Sequence, residues 1–189
     1  TAETLPWLAE FRGRSIDPET GAERIPWDYK PRLWQGHPLL YDVNHWTEDE
    51  LFRVGTVDAI WRETQAGMDA LLARYGMTRD GHLYRCDNNQ PDTIVLFCHF
   101  GIMMACIGHL LGVSPMLLWH GFCTQPSSVP PLVTEARVKG QVVFRCMQSG
   151  DLSHLYAADA PYSTAALFPE CYTGRDSTDP PEWDALGYR

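Results

Sequence analysis

The 189-residue chain has no apolar stretch long enough to cross a membrane, because His99 and His109 interrupt its most hydrophobic run. No signal-peptide pattern opens it. Basic residues are scarce: 15 Lys and Arg stand against 24 Asp and Glu, a net charge of −9. Nucleic acid and anionic membrane surfaces are read by clustered basic side chains, so neither is expected as a partner. A small phosphorylated substrate needs only a local positive pocket and stays admissible. No glycine-rich nucleotide loop occurs, since Gly108 and Gly112 lie within or after a helix-like run. No Gly-x-Ser-x-Gly elbow occurs either, and Ser127-Ser128 sits among prolines as turn material.

The six cysteines follow neither a disulfide framework nor zinc-like spacing. Cys98, Cys106 and Cys146 lie in apolar runs, which suggests reduced, buried thiols in a cytoplasmic protein. Cys98, His99, Cys106 and His109 cluster in sequence, with His120 and Cys123 following. Neighbours on a strand face opposite ways, and Cys106 and His109 lack a second pair, so no metal is expected. A phosphate-cradling cysteine loop wants an arginine inside the turn, and His99 to Met104 contain none. There is no internal repeat and no second domain: residues 1–189 read as one domain. The chain begins at Thr1 without an initiating methionine; the expectation is that it is not the complete gene product.

What is present centres on Thr93 to Gly112. Ile94-Val95-Leu96-Phe97-Cys98 is short, apolar and rich in β-branched and aromatic residues, which predicts a strand buried on both faces. His99 ends it. Ile102 to Leu111 is long enough for three helical turns and closes on Gly112, a residue suited to a left-handed cap. A buried strand, a polar turn and a helix present chemistry as open α/β sheets do, at the carboxyl end of a strand. His99 would sit at the helix N-terminus, where unpaired N–H groups and the helix dipole favour an anion. The alternative is a buried histidine bonded to a backbone carbonyl.

Around this centre, residues 1–46 carry Pro6, Pro18, Pro26, Pro31 and Pro38, which forbid long helices. They also hold Trp7, Trp27, Trp34, Trp46, Tyr29 and Tyr41, rings that bury much apolar area. The stretch reads as a connection packed over the core, as a rim shaping a pocket mouth, or as both. Residues 47–75 read as helix, with Thr47 and Glu50 as a capping box, a possible split at Gly55, and an end at Gly76. Asp80-Gly81 predicts a hairpin turn, and Ser114-Pro115 starts a short helix. Leu132–Val138 and Gln141–Met147 flank Lys139-Gly140 as an edge hairpin. Ser149 to Leu155 reads as a polar turn, and 157–189 as a surface-hugging tail.

The second candidate is Glu10, in Leu5-Pro-Trp-Leu-Ala-Glu-Phe-Arg-Gly13. Between Leu8 and Phe11 a carboxyl can be partly desolvated, which suits a general acid. The alternative is a surface glutamate paired with Arg12 or Arg14.

Two segments resemble the histidine phosphatase superfamily, the phosphoglycerate mutase-like family. Ile94 to Gly112 resembles its second histidine motif, a strand ending in His-x-Gly and a helix running into Leu-Leu-Gly. Leu8-Ala-Glu10 followed by Phe-Arg-Gly13 resembles its Leu-x-Glu segment. The likeness spans Leu5 to Leu155, with residues 16–46 as an aromatic-rich insertion. It implies a three-layer α/β/α fold with a mostly parallel central sheet. It implies that His99 holds the phosphoryl group, helped by the backbone at Phe100 and Gly101, and that Glu10 protonates the leaving oxygen and activates water. No cofactor is implied. The family's nucleophile, the histidine of an Arg-His-Gly motif on the first strand, occurs nowhere in this chain. The resemblance puts it upstream of Thr1, on a lost N-terminal segment or a separate chain. The expected activity is phosphatase-type phosphoryl transfer from a small phosphorylated metabolite through a phosphohistidine. The alternative is an inactive relative acting as a phosphate-binding or assembly module.

Overall fold

The computed structural model describes residues 2–88 and 92–163. The N-terminal region is a series of short turns punctuated by prolines. A 3-10 helix at Pro6–Leu8, another at Pro26–Asp28, the short helix α1 (Pro31–Trp34) and a 3-10 helix at Pro38–Tyr41 each place proline at their first positions. Proline's fixed φ suits the first turn of a helix, where its missing N–H is no loss. Strands β1 (Ser15–Ile16) and β2 (Glu23–Arg24) pair antiparallel between these turns. Tyr29, Leu40 and Trp46 are buried, so this region packs on the core.

The long helix expected from residue 47 starts later. Two 3-10 turns, Trp46–Glu48 and Glu50–Phe52, precede α2 (Val57–Ala73). The capping box does not form. Asp49 instead accepts from the Leu51 N–H at 3.1 Å, and the Thr47 hydroxyl donates to Asp58 at 2.8 Å. Gly55 is where the split falls, at φ 129°, and its backbone approaches Arg14 so closely that a Cβ would meet the Arg14 carbonyl oxygen at 1.9 Å. Thr56 occupies the N-cap position of α2, but its hydroxyl accepts from the Arg14 N–H. Helical spacing puts Val54, Val57, Trp61, Met68, Leu71, Leu72 and Tyr75 on one face; the five of these within α2 are buried, whereas Val54 precedes the helix and is 65% exposed, and Tyr75 follows it half-buried.

Strands β3 (Thr78–Asp80) and β4 (Leu83–Cys86) form the hairpin expected at Asp80-Gly81. Strands β5 (Leu132–Val138) and β6 (Gly140–Cys146) form the second expected hairpin. The two join through β4 and β6 into an antiparallel sheet of order β3-β4-β6-β5, which leaves β5 at an edge. Helices α3 (Phe100–Leu111), α4 (Pro115–Gly121) and α5 (Ser153–Ala157) complete the described chain. The polar turn expected over 149–155 thus gives way to α5. Of the expected tail 157–189, residues 164–189 lie outside the described residues.

The fold is therefore mixed α/β, with two antiparallel sheets. The expected parallel central sheet is absent among the described residues, and Ile94–Cys98 is not a strand there. That segment is also not buried on both faces: Val95 is 67% exposed and Phe97 91%. Ile94 and Leu96 do pack against the core. The apolar run lies at the surface and not in the interior, because no described strand lies beside it to cover it.

Helix α3 is the centre of the molecule. It packs on α2, α4 and β6. Ile102, Met104, Ala105, Cys106 and Ile107 are buried, and each of the larger side chains contributes roughly 1.5–3 kcal/mol by burial. It ends as expected on Gly112, left-handed at φ 68°, and the Val113 N–H closes the turn on the Gly108 carbonyl. Ser114 holds the N-cap position of α4, with its hydroxyl donating to the Leu40 carbonyl at 2.6 Å.

Candidate functional site

The N-terminus of α3 receives Glu10 from the far end of the chain. Trp7, in the first 3-10 turn, lies over Gly67 of α2, where a Cβ would stand 2.4 Å from the ring. Phe11, one residue past Glu10, is fully buried against Trp119 and Trp27, at ring separations of 5.1 and 6.4 Å. These anchors on either side aim Glu10 at α3. Its Oε1 accepts from the Ile102 N–H at 3.0 Å and from the Phe11 N–H at 2.7 Å, and its Oε2 accepts from the Gly101 N–H at 3.4 Å. The alternative pairing with Arg12 or Arg14 is not what forms: Arg14 reaches Glu23, at 4.0 Å. A carboxylate on the unpaired N–H groups of a helix start is favoured by both hydrogen bonding and the helix dipole.

His99 is the N-cap residue of α3, with φ −108° and ψ 170°, and its carbonyl accepts the first helical bond from Met103. It is exposed, so the alternative of a buried histidine held on a carbonyl does not apply. Phe100 is half-buried and Gly101 buried. Gly101 is required by close approach: a Cβ there would stand 2.2 Å from the Trp27 ring and 2.8 Å from Glu10 Oε1. Trp27 also meets Phe100 edge-on at 6.2 Å. Beneath them the Trp119 indole N–H donates to the Gly101 carbonyl at 2.9 Å, fixing the first turn from below. Glu10 thus meets the backbone of Gly101 and Ile102, in the helix start that follows His99 and Phe100 in the chain.

The cysteines differ from their expected burial. Cys106 is buried, and burial pushes its thiol well up; Cys98 and Cys146 are exposed. The Cys98 thiol is nevertheless hemmed by protein atoms, and desolvation first, then the nearby Glu10 charge, push it up to about 11. Such a thiol is a poor nucleophile near neutral pH.

The other histidines are engaged elsewhere. Burial pushes His120 down to about 4, and its Nε2 contacts the Pro26 carbonyl at 3.2 Å while the ring stacks on Trp34 at 4.5 Å. His109 is buried, with Nε2 2.7 Å from Asp69 Oδ1. Tyr84 donates to the same oxygen at 2.6 Å, and Arg79 donates to the His109 carbonyl. Burial works to raise the Asp69 carboxyl, but hydrogen bonds from His109 and Tyr84 outweigh it and hold the group below its usual range. This network ties α2, α3, β3 and β4 together. The sequence reading missed it, since nothing in the spacing of Asp69, Tyr84 and His109 links them. Asp28 was missed too: desolvation pushes it up to about 6 against the opposing charges of Arg24 and Arg14.

Among the described residues no group of three or more His, Cys, Asp or Glu side chains could hold a metal ion. No helix among them is long and apolar enough to cross a membrane. Comparison with known proteins adds no relative: no family model, no curated protein and no solved structure matches the chain.

Proposed function

We propose that this chain carries one wall of a phosphoryl-transfer site of the histidine-phosphatase type, acting on a small phosphorylated metabolite. The observation that carries the reading is the meeting of Glu10 with the start of α3 across 92 positions of sequence, beside His99. A site for phosphoryl transfer needs donors on the equatorial oxygens and an acid near the leaving group. The N–H groups of Phe100, Gly101 and Ile102 and the His99 imidazole are the donors. A phosphoryl group taking the Gly101 and Ile102 N–H groups displaces the Glu10 carboxylate from them. Glu10 then stands at the edge of the bound group, where it can give a proton to the leaving oxygen and later draw one from water.

The acceptor of the phosphoryl group is a histidine upstream of this chain, in a lost N-terminal segment or a separate polypeptide. Its strand would lie along one edge of Ile94–Cys98, the start of the mostly parallel three-layer α/β/α sheet that the resemblance implies. The five free cysteines among the described residues suit a reducing, cytoplasmic setting. A second reading, a phosphate-binding or assembly module without turnover, is favoured by the sequence holding no Arg-His-Gly.

The test is hydrolysis of an aryl phosphate by the polypeptide together with its upstream segment. Turnover that His99→Ala largely removes supports the enzyme. Turnover untouched by that substitution sinks the role of His99. Phosphate binding without turnover selects the module.

A further inference from the structure

We propose that Trp119 is a positioning residue for Glu10: its indole N–H, acting through the Gly101–Ile102 peptide, strengthens the hydrogen bond that holds the Glu10 carboxylate on α3. The indole donates to the Gly101 carbonyl at 2.9 Å. That carbonyl and the Ile102 N–H belong to one peptide unit, and the Ile102 N–H donates to Glu10 Oε1 at 3.0 Å. A donor on an amide oxygen draws electron density towards it and leaves the N–H at the other end more positive, so bonds in series reinforce one another. The site contains its own comparison. The Gly101 N–H donates to the same carboxylate from the same helical turn, but it belongs to the peptide of Phe100, whose carbonyl Trp119 does not bond. Its bond is the longer one, at 3.4 Å.

The indole is held in place by the rings that seat the carboxylate. Trp119 is buried in α4, and its ring lies 5.1 Å from Phe11, 5.4 Å from Trp27 and 5.5 Å from Trp46. Phe11 adjoins Glu10 in the chain, and Trp27 lies against Gly101. Burial of an indole does not by itself demand such a bond in this fold, since the Trp34 and Trp46 N–H groups are buried and have no partner. Away from water, the bond to Gly101 polarises its peptide more than the same bond at the surface would. The part of Trp119 in phosphoryl transfer rests on the function proposed above, in which the same Ile102 N–H passes from Glu10 to an equatorial oxygen of the bound group. Its hold on Glu10 stands without that reading.

The test replaces Trp119 alone by the benzothiophene analogue of tryptophan, in which sulfur stands in place of Nε1–H. Ring shape and ring current are kept and only the donor is lost. Nuclear magnetic resonance of this chain then reads the relay. The coupling transmitted through the hydrogen bond from the Ile102 nitrogen to Glu10 Cδ should fall by about 10–30%, and the Ile102 amide proton should move upfield. The Gly101 and Phe11 amides bond Glu10 from other peptides and should move less. Trp119→Phe should lower the same coupling. An Ile102 coupling and shift unchanged in the analogue overturn the proposal. So do equal changes at Ile102, Gly101 and Phe11, which a role in packing alone produces. For the polypeptide with its upstream segment, kcat/KM for an aryl phosphate should fall roughly two- to fivefold in the analogue, with circular dichroism unchanged. Unchanged turnover there overturns the part of Trp119 in transfer. Absence of turnover in the unaltered protein removes the phosphoryl-transfer reading, and the resonances alone then decide the relay.

Discussion

Replacing Glu10 by alanine should make the protein less stable and at the same time a better binder of phosphate. The carboxylate accepts from Phe11, Ile102 and Gly101 at 2.7, 3.0 and 3.4 Å. Hydrogen bonds to charged groups contribute about 1.5–3 kcal/mol each, and the longest of these is weak. The residue is only half-buried, so water recovers part of the loss. A total cost of about 2–3 kcal/mol follows, and at about 2–4 °C per kcal/mol for a chain of this size Tm falls by roughly 4–12 °C. The same carboxylate repels an incoming phosphate. Two unit charges about 4 Å apart at a partly exposed site repel by up to about 4 kcal/mol, so phosphate should bind Glu10→Ala at least about tenfold more tightly. Differential scanning calorimetry with and without inorganic phosphate reads both effects: the variant starts lower and gains more on adding phosphate. Glu10→Gln, which keeps an acceptor and loses the charge, should fall between. A variant with unchanged Tm, or one with Tm lowered and phosphate affinity unchanged, refutes the reasoning.

Gly101→Ala places a Cβ 2.2 Å from the Trp27 ring, so overpacking should cost about 1–3 kcal/mol, read from the urea midpoint. His120 is held neutral at about 4 against an ordinary 6.5, so the unfolded chain takes up its proton first. Stability should therefore fall as pH drops from 6.5 towards 4, and His120→Gln should flatten that slope in urea titrations. Asp69 also loses stability towards acid, but at lower pH: its carboxyl is lowered by His109 and Tyr84, so its contribution is full above the usual 3.8 and disappears as pH falls through the lower folded value. Asp69→Asn should lower stability at pH 7 and remove that acid-side loss.

The parts legible in sequence were those set by local chemistry. The two hairpins follow from Asp80-Gly81 and Lys139-Gly140 between alternating runs, and the apolar face of α2 follows from helical spacing. The end of α3 at Gly112 follows from its left-handed cap. The grouping of Glu10 with His99 came from a resemblance, and no local rule links positions so far apart. The errors lay where partners decide. A run such as Ile94–Cys98 reads the same whether or not strands flank it, and burial depends on neighbours that hydrophobicity cannot name. Thr47 and Glu50 match a capping box, but the Thr47 hydroxyl reaches Asp58 instead. The Asp69–His109–Tyr84 network joins three elements whose approach only the folded core determines.

The boundary at His99 divides two backbone regimes. Before it, the amides of Thr93–Cys98 have no carbonyl partner among the described residues; after it, those of α3 are locked into a helix enclosed by α2, α4 and β6. Hydrogen–deuterium exchange should therefore change abruptly over two or three residues. The Thr93–Cys98 amides should exchange nearly as fast as in a free peptide, and the Met104–Gly108 amides only with global opening. Anything that settles on the open strand writes its footprint as slowed exchange there, before its identity is known.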